Sequence, residues 1–249
     1  MADPVAKALM LDKVQIDGKV VLIVQKINDG SPFLHSLLAH CARQGRKVCL
    51  VSFSQSVGLY QSVGTRLGWN LSNLLSKNQA VFIGGLHSLK DSFKLQKSSD
   101  PFDFVFNPCI SHLQALFSAI EAATSNWVDQ PFSIFIDELD CLTNLGVQLN
   151  DVVNFFQQCH SLIQKNSKGS LIVSVGVTQN DKEITQYSSL LSHWSDLVLT
   201  EKGLQTGKSK DLSGILTVNW NIPPCTEQQF HFKCFDRGIR MFAPGTAVL

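Results

Sequence analysis

The chain has 249 residues, of which 44% are hydrophobic and 16% charged, which excludes a disordered polypeptide and leaves room for one large domain or two small ones. Its 21 basic and 20 acidic side chains leave a net charge of +1, so no global field draws it to nucleic acid or to an anionic membrane. The charged fraction is below the roughly 25% of an average soluble domain; a surface covered by partners and a surface rich in Ser, Asn and Gln account for it equally well.

In chain order, the opening MADPVAKALMLDK has no long apolar run, and the expectation is that it is not a signal peptide. Val20 to Gln25 (VVLIVQ) is continuously apolar, as in a strand buried on both faces. After the turn QKINDGSP, Phe33 to Gln44 has helical spacing with Leu34, Leu37, Leu38 and Cys41 on one face, closed by Gly45. A second buried strand follows at Lys47 to Phe53, then a helix from Gln55 to Leu67 stopped by Gly68, then a short strand from Ala80 to Ile83. The irregular stretch Ser88 to Phe106 carries Lys90, Lys94 and Lys97. Ser111 to Ala123 is predicted as a helix, Phe132 to Ile136 (FSIFI) as a fourth strand, Val147 to Gln164 as a long helix and Leu171 to Val175 as a fifth strand. Gly176 to Ser189 is expected to be a polar loop, and Asp196 to Thr200 a sixth strand. Beyond it, Ile215 to Trp220 alternates as a solvent-facing strand does, and Phe230 to Phe235 with Ile239 to Phe242 predicts a hairpin around Asp236-Arg237-Gly238. The seven cysteines lack C-x-x-C spacing and several sit in apolar runs, the usage of reduced thiols in cytosol or nucleus rather than of zinc ligands.

Strands alternating with helices predict a mostly parallel central sheet flanked by helices, and the closing strands an antiparallel extension at one edge. This is an α/β layout of the RecA-like P-loop NTPase kind. It divides into an N-terminal extension (1–18), an α/β core (19–200) and a C-terminal β extension (201–249), all one domain.

In that layout a phosphate binds the turn after the first strand, where helix N–H groups converge. A working loop reads G-x-x-x-x-G-K-[ST], its lysine neutralising the phosphates and its hydroxyl holding Mg²⁺. Here the turn holds Lys26, Asn28, Asp29, Gly30 and Ser31: one glycine, no lysine before Ser31, and a carboxylate where phosphate sits. The loop is a degenerate Walker A, and no cofactor is expected. FSIFIDE matches an apolar strand ending in acid, the Walker B pattern, in which Asp137 and Glu138 hold metal and polarise water. Without the lysine and the loop they have no nucleotide metal to hold, and the favoured reading is a pair of carboxylates capping a following turn.

The segment from Gln25 to Leu71 (QKINDGSPFLHS…GTRLGWNL), together with GLQTGKSKDLSGILTVNW and the terminal MFAPGTAVL, resembles the Elongator complex protein 6 family in order along most of the chain. The resemblance implies a RecA-like subunit without a standard Walker A motif. It would sit with subunits four and five in a hetero-hexameric accessory ring, two copies of each, in a cytoplasmic and nuclear complex that modifies the wobble uridine of certain tRNAs. It also implies that the chemistry belongs to a different, catalytic subunit and that the ring binds tRNA.

In RecA-like rings the loops after the fourth and fifth strands face the pore. Here those are Leu139 to Asn150 and Gly176 to Ser189, the second carrying Lys182 between Asp181 and Glu183. Lys202, Lys208 and Lys210 surround a glycine-rich loop able to follow a nucleic-acid backbone, and with Lys182 they are the candidate tRNA contacts. Arg237 and Arg240 flank the last hairpin and are candidate subunit-interface residues, against a plainer role as edge charges. No histidine pattern or nucleophile elbow marks an enzyme site, and no apolar stretch reaches membrane-span length. The alternatives are a divergent nucleotide-binding protein or ATPase, and a recombination mediator of the same fold.

Overall fold

A computed structural model describes residues 3–26, 31–85, 101–105, 113–127, 129–178, 182–204, 209 and 211–245. Nine strands form one sheet: β1 (Val20–Gln25), β2 (Lys47–Ser52), β3 (Ala80–Gly84), β4 (Phe132–Asp137), β5 (Gly169–Gly176), β6 (Leu197–Lys202), β7 (Gly214–Trp220), β8 (Thr226–Phe235) and β9 (Gly238–Phe242). Their spatial order is β3-β2-β4-β5-β1-β6-β7-β8-β9, with parallel pairing from β3 through β6 and antiparallel pairing from β6 to β9. The predicted mixed sheet with an antiparallel edge is therefore observed.

Strand alternation sorts the core onto two faces. Val21 and Ile23 of β1, with Leu50 and Phe135, pack beneath α1 (Pro4–Ala8), α2 (Pro32–Arg43), α3 (Val57–Leu67) and α4 (Leu71–Ser76). Val20, Leu22 and Val24, with Ile134 and Ile136, pack beneath α5 (Gln114–Ser125), α6 (Cys141–Asn144), α7 (Leu149–Lys165) and α8 (Lys182–His193). Each of these fully buried aliphatic side chains stabilises the fold by about 1.5–3 kcal/mol relative to exposure. The helices that follow β1 and β2 thus lie on one face and those that follow β3, β4 and β5 on the other, and the carboxyl ends of β1, β4 and β5 open between the two layers.

Local chemistry sets the helix ends. α2 starts with Pro32 at its first turn and stops at Gly45, whose φ of 70° lets the Arg46 N–H return to the Cys41 carbonyl at 3.1 Å. Ser56 caps α3 through the Leu59 N–H, and Gly68 closes it in the left-handed region. The opening residues are not a loose extension: Val5, Ala6, Leu9, Leu11 and Ile16 are buried in the α2 face of the core.

Two expectations are corrected. The predicted polar loop from Gly176 to Ser189 holds most of α8, because Ile184, Tyr187 and Leu191 recur at helical spacing and reach the core through a polar sequence. β7 is not solvent-facing: β6 and β8 flank it, and Leu216, Val218 and Trp220 enter the core while Thr217 is also buried. The hairpin at Asp236 to Gly238 is observed, and Phe33 of α2 meets Phe232 of β8 edge-on at 5.0 Å, tying the extension to the core.

Candidate functional site

The crevice at the carboxyl ends of β1, β4 and β5 collects the groups that the sequence marked. Asp137, the last residue of β4, is 1% exposed. Its Oδ1 accepts hydrogen bonds from the Ser31 hydroxyl at 3.0 Å and the Ser174 hydroxyl at 2.8 Å, and its Oδ2 accepts one from the Tyr60 phenol. Three donors from α2, α3 and β5 therefore converge on one carboxylate, which has roughly four acceptor positions. A buried ionised carboxylate is costly unless its lone pairs are filled this way. Ser31 stands one residue before α2 and Asp137 lies two strands away from β1, so the contact spans β5 and ties the first crossover to the fourth strand.

This corrects the expectation that the Asp137 carboxylate caps the turn that follows it: its partners all lie on other elements. The turn is held by its neighbours instead. Glu138 adopts a left-handed conformation with φ 56°, its N–H donates to Ser174 Oγ at 2.8 Å, and its carboxylate accepts the Ser54 hydroxyl. Asp140 Oδ1 accepts the Gly176 N–H at 2.7 Å; burial raises this carboxyl above the usual carboxylate range, against the lowering effect of that bond. A side chain at Gly176 would bring its Cβ within 3.2 Å of Asp140 Oδ2, so the absence of one there permits the approach.

The surrounding groups are held uncharged. Burial, followed by the Asp137 carboxylate, pushes the Tyr60 phenol far above its ordinary value, so it stays a donor. Burial lowers the His35 imidazole, with Asp137 opposing; its ring lies 5.2 Å from that of Tyr60. The Cys141 thiol, pushed up to about 12 by burial and by the Asp140 and Glu138 carboxylates, donates to Glu138 at 3.6 Å. Chemically this is a hydrogen-bonded bolt: the acid is turned inward onto three protein hydroxyls.

The remaining predicted residues are dispersed. Lys26 is exposed at the end of β1, its N–H on the Glu201 carbonyl at 3.0 Å. Asn28, Asp29, Gly30, Lys208 and Lys210 lie outside the described residues, as do Lys90, Lys94 and Lys97. Lys182 opens α8 and Lys202 ends β6, exposed; both stand at the carboxyl ends of the parallel strands, on the same rim as the Asp137 crevice. Arg237 and Arg240 sit far along the sheet in the β8–β9 hairpin and do not join that rim. Tyr60 and Ser174 escaped the sequence reading because one lies on an apolar helix face and the other inside the strand LIVSV. Among the described residues no group of three or more His, Cys, Asp or Glu side chains is placed to hold a metal ion, and no helix is long and apolar enough to cross a membrane.

Comparison with known proteins adds a second line. Residues 8–240 match the family model described as Elongation complex protein 6. The Elongator complex protein 6 of Xenopus laevis is 33% identical over 241 residues, covering 92% of this chain and 91% of that protein. That of Rattus norvegicus is 30% identical over 242 residues, again covering 92% and 91%. The Dictyostelium discoideum protein of the same name is 25% identical over 260 residues, covering 80% of this chain and 77% of its own length.

Proposed function

The chain belongs to the Elongation complex protein 6 family, and from that membership we propose that it is a non-catalytic subunit of the Elongator complex. In this reading it is a single RecA-like domain in the accessory hetero-hexameric ring with subunits four and five. It works in cytoplasm and nucleus and helps to present tRNA for wobble-uridine modification by another subunit. The mostly parallel sheet with helices on both faces and an antiparallel edge supports the RecA-like assignment.

One observation carries the non-catalytic part. The carboxylate that would hold a nucleotide's metal in such a domain is 1% exposed and accepts hydroxyls from Ser31, Tyr60 and Ser174. Recruiting it to a metal would break those bonds and expose a packed phenol, and the turn has no lysine directly before Ser31 to offset a triphosphate, its one lysine being Lys26 at the end of β1. A site that has converted its metal ligand into a core hydrogen-bond acceptor serves the fold, not hydrolysis.

Lys182 and Lys202, together with Lys208 and Lys210, are the proposed tRNA contacts, the first two on the rim formed by the carboxyl ends of the strands. They would bind phosphates without reading sequence. The reading is tested by co-expressing the chain with Elongator subunits four and five and weighing the product by native mass spectrometry. A discrete hexamer containing all three is expected. A monomer that ignores both partners would overturn the proposal.

A further inference from the structure

A cleft lies away from the Asp137 crevice, between the end of α2 and the β8–β9 hairpin, with a volume of about 540 Å³. Three guanidinium groups line it: Arg43 in the last turn of α2, Arg237 in the hairpin turn and Arg240 on β9. A single carboxylate, that of Asp3, answers them, and it pairs with Arg43. Arg43 spends a further N–H on the Leu67 carbonyl at 3.2 Å. Arg237 and Arg240 have no ion-pair partner among the described residues. Two unneutralised cations facing one concave surface repel each other, and an incoming anion relieves that repulsion.

The rest of the lining decides which anion. Pro4, Leu67 and Ile239 give the cleft aliphatic walls. Phe235, 44% exposed, already carries Arg240 at 4.9 Å and Lys233 at 5.5 Å from its ring centre. A ring covered by cations is a poor stacking platform for bases, but its packing holds the guanidinium of Arg240 in place for an acid. The Asp3–Arg43 pair shows in the same cleft the contact such a ligand would make.

We propose that this cleft docks an acidic segment of a partner protein, its carboxylates received by Arg237 and Arg240 and its aliphatic side chains by the walls beneath them. The proposal deepens the complex-subunit reading by assigning a surface to a protein partner. Its test uses the full chain alone, so its failure is separate from a failure of assembly with subunits four and five.

The probe is a short fluorescein-labelled peptide alternating glutamate and leucine, titrated by fluorescence anisotropy, beside a labelled uridine oligonucleotide. Losing two charge-assisted contacts and gaining two repulsive ones, the Arg237→Glu/Arg240→Glu variant should bind the peptide at least about tenfold more weakly. Arg237→Lys/Arg240→Lys keeps the charge but not the fork and should fall between the two. A control reversal at exposed lysines elsewhere, Lys77→Glu/Lys165→Glu, should change binding less than about twofold. All four sites are exposed, so unchanged circular dichroism and melting are expected. Equal loss in the arginine and lysine reversals would overturn the proposal as unspecific charge attraction. So would tighter binding of the oligonucleotide than of the peptide, lost in the arginine variant, which would make the cleft a nucleic-acid face.

Discussion

Ser31, at the head of α2, donates its hydroxyl to Asp137, at the tail of β4, over 3.0 Å. In a phosphate-binding domain these two positions face each other across a metal. Here they face each other directly, and Tyr60 and Ser174 take further acceptor positions on the carboxylate. The carboxylate is thereby held by hydroxyls from three separate elements of the fold.

Tyr60→Phe isolates the value of that arrangement. The ring contacts to His35 and Phe82 persist while the hydrogen bond to a buried carboxylate is lost. Hydrogen bonds to charged groups contribute about 1.5–3 kcal/mol, and a loss of that size is expected as a lowered urea midpoint at unchanged slope. A variant as stable as the parent would mean that the phenol does not support the acid. Isothermal titration of the parent chain with Mg-ATP should show no saturable heat.

Glu201 sets a pH dependence. It ends the buried part of β6, 1% exposed, with Oε1 unpartnered among the described residues, and burial pushes its carboxyl up to about 8 from an ordinary 4.5. The folded state therefore holds this proton more tightly than the unfolded chain. The associated stability is fully present below about 4.5 and is lost as pH rises to about 8. Glu201→Gln should remove the decline, leaving the variant more stable than the parent above that window by on the order of a few kcal/mol. Denaturation at the two ends of the window measures it; parallel curves would refute it.

Arg46 is also buried and lies at the opposite end of the strands, before β2. It is 6% exposed, pairs with Asp17 at 2.6 Å, and donates to Ser133 at 3.0 Å and to the carbonyls of Phe132 at 2.8 Å and Lys168 at 3.0 Å. Arg46→Ala would strand those acceptors and the Asp17 carboxylate. A destabilisation of about 3–5 kcal/mol is expected, visible as loss of soluble protein or a much lower melting temperature. Arg46→Lys should recover only part, since a single ammonium cannot replace the fork.

Gly214 tests how firmly the antiparallel extension is joined to the core. A Cβ there would lie 2.6 Å from the Lys202 carbonyl oxygen and 2.9 Å from the Phe232 ring. Gly214→Val must therefore part β6 from β7 or displace Phe232, at about 1–3 kcal/mol. Faster amide exchange in β7 and β8 than in β1 and β5 would locate the damage; uniform exchange would show that the sheet opens as one unit.

Much of this was legible in the residues themselves. Continuous apolar runs such as VVLIVQ specify strands buried on both faces, because only such a strand needs no polar side. Gly45 and Gly68 end helices because a residue without a Cβ takes up the left-handed backbone at no steric cost. The departure of residues 25–32 from G-x-x-x-x-G-K-[ST] was equally plain, since a motif is read from the residues alone. Three-dimensional packing decided the rest. The helix at Lys182 to His193 hides in a polar sequence because three apolar contacts suffice to dock it on a ready-made core. The partners of Asp137 come from positions 31, 60 and 174, and one cleft is lined by Asp3 together with Arg237 and Arg240 from the far end of the chain; such meetings depend on strand order and crossover direction, which no local pattern encodes. The sequence by itself determined which residues must be buried and where the chain must turn; the tertiary structure alone decided which buried polar groups would meet, because hydrogen bonds between distant segments form only after the hydrophobic faces have been stacked.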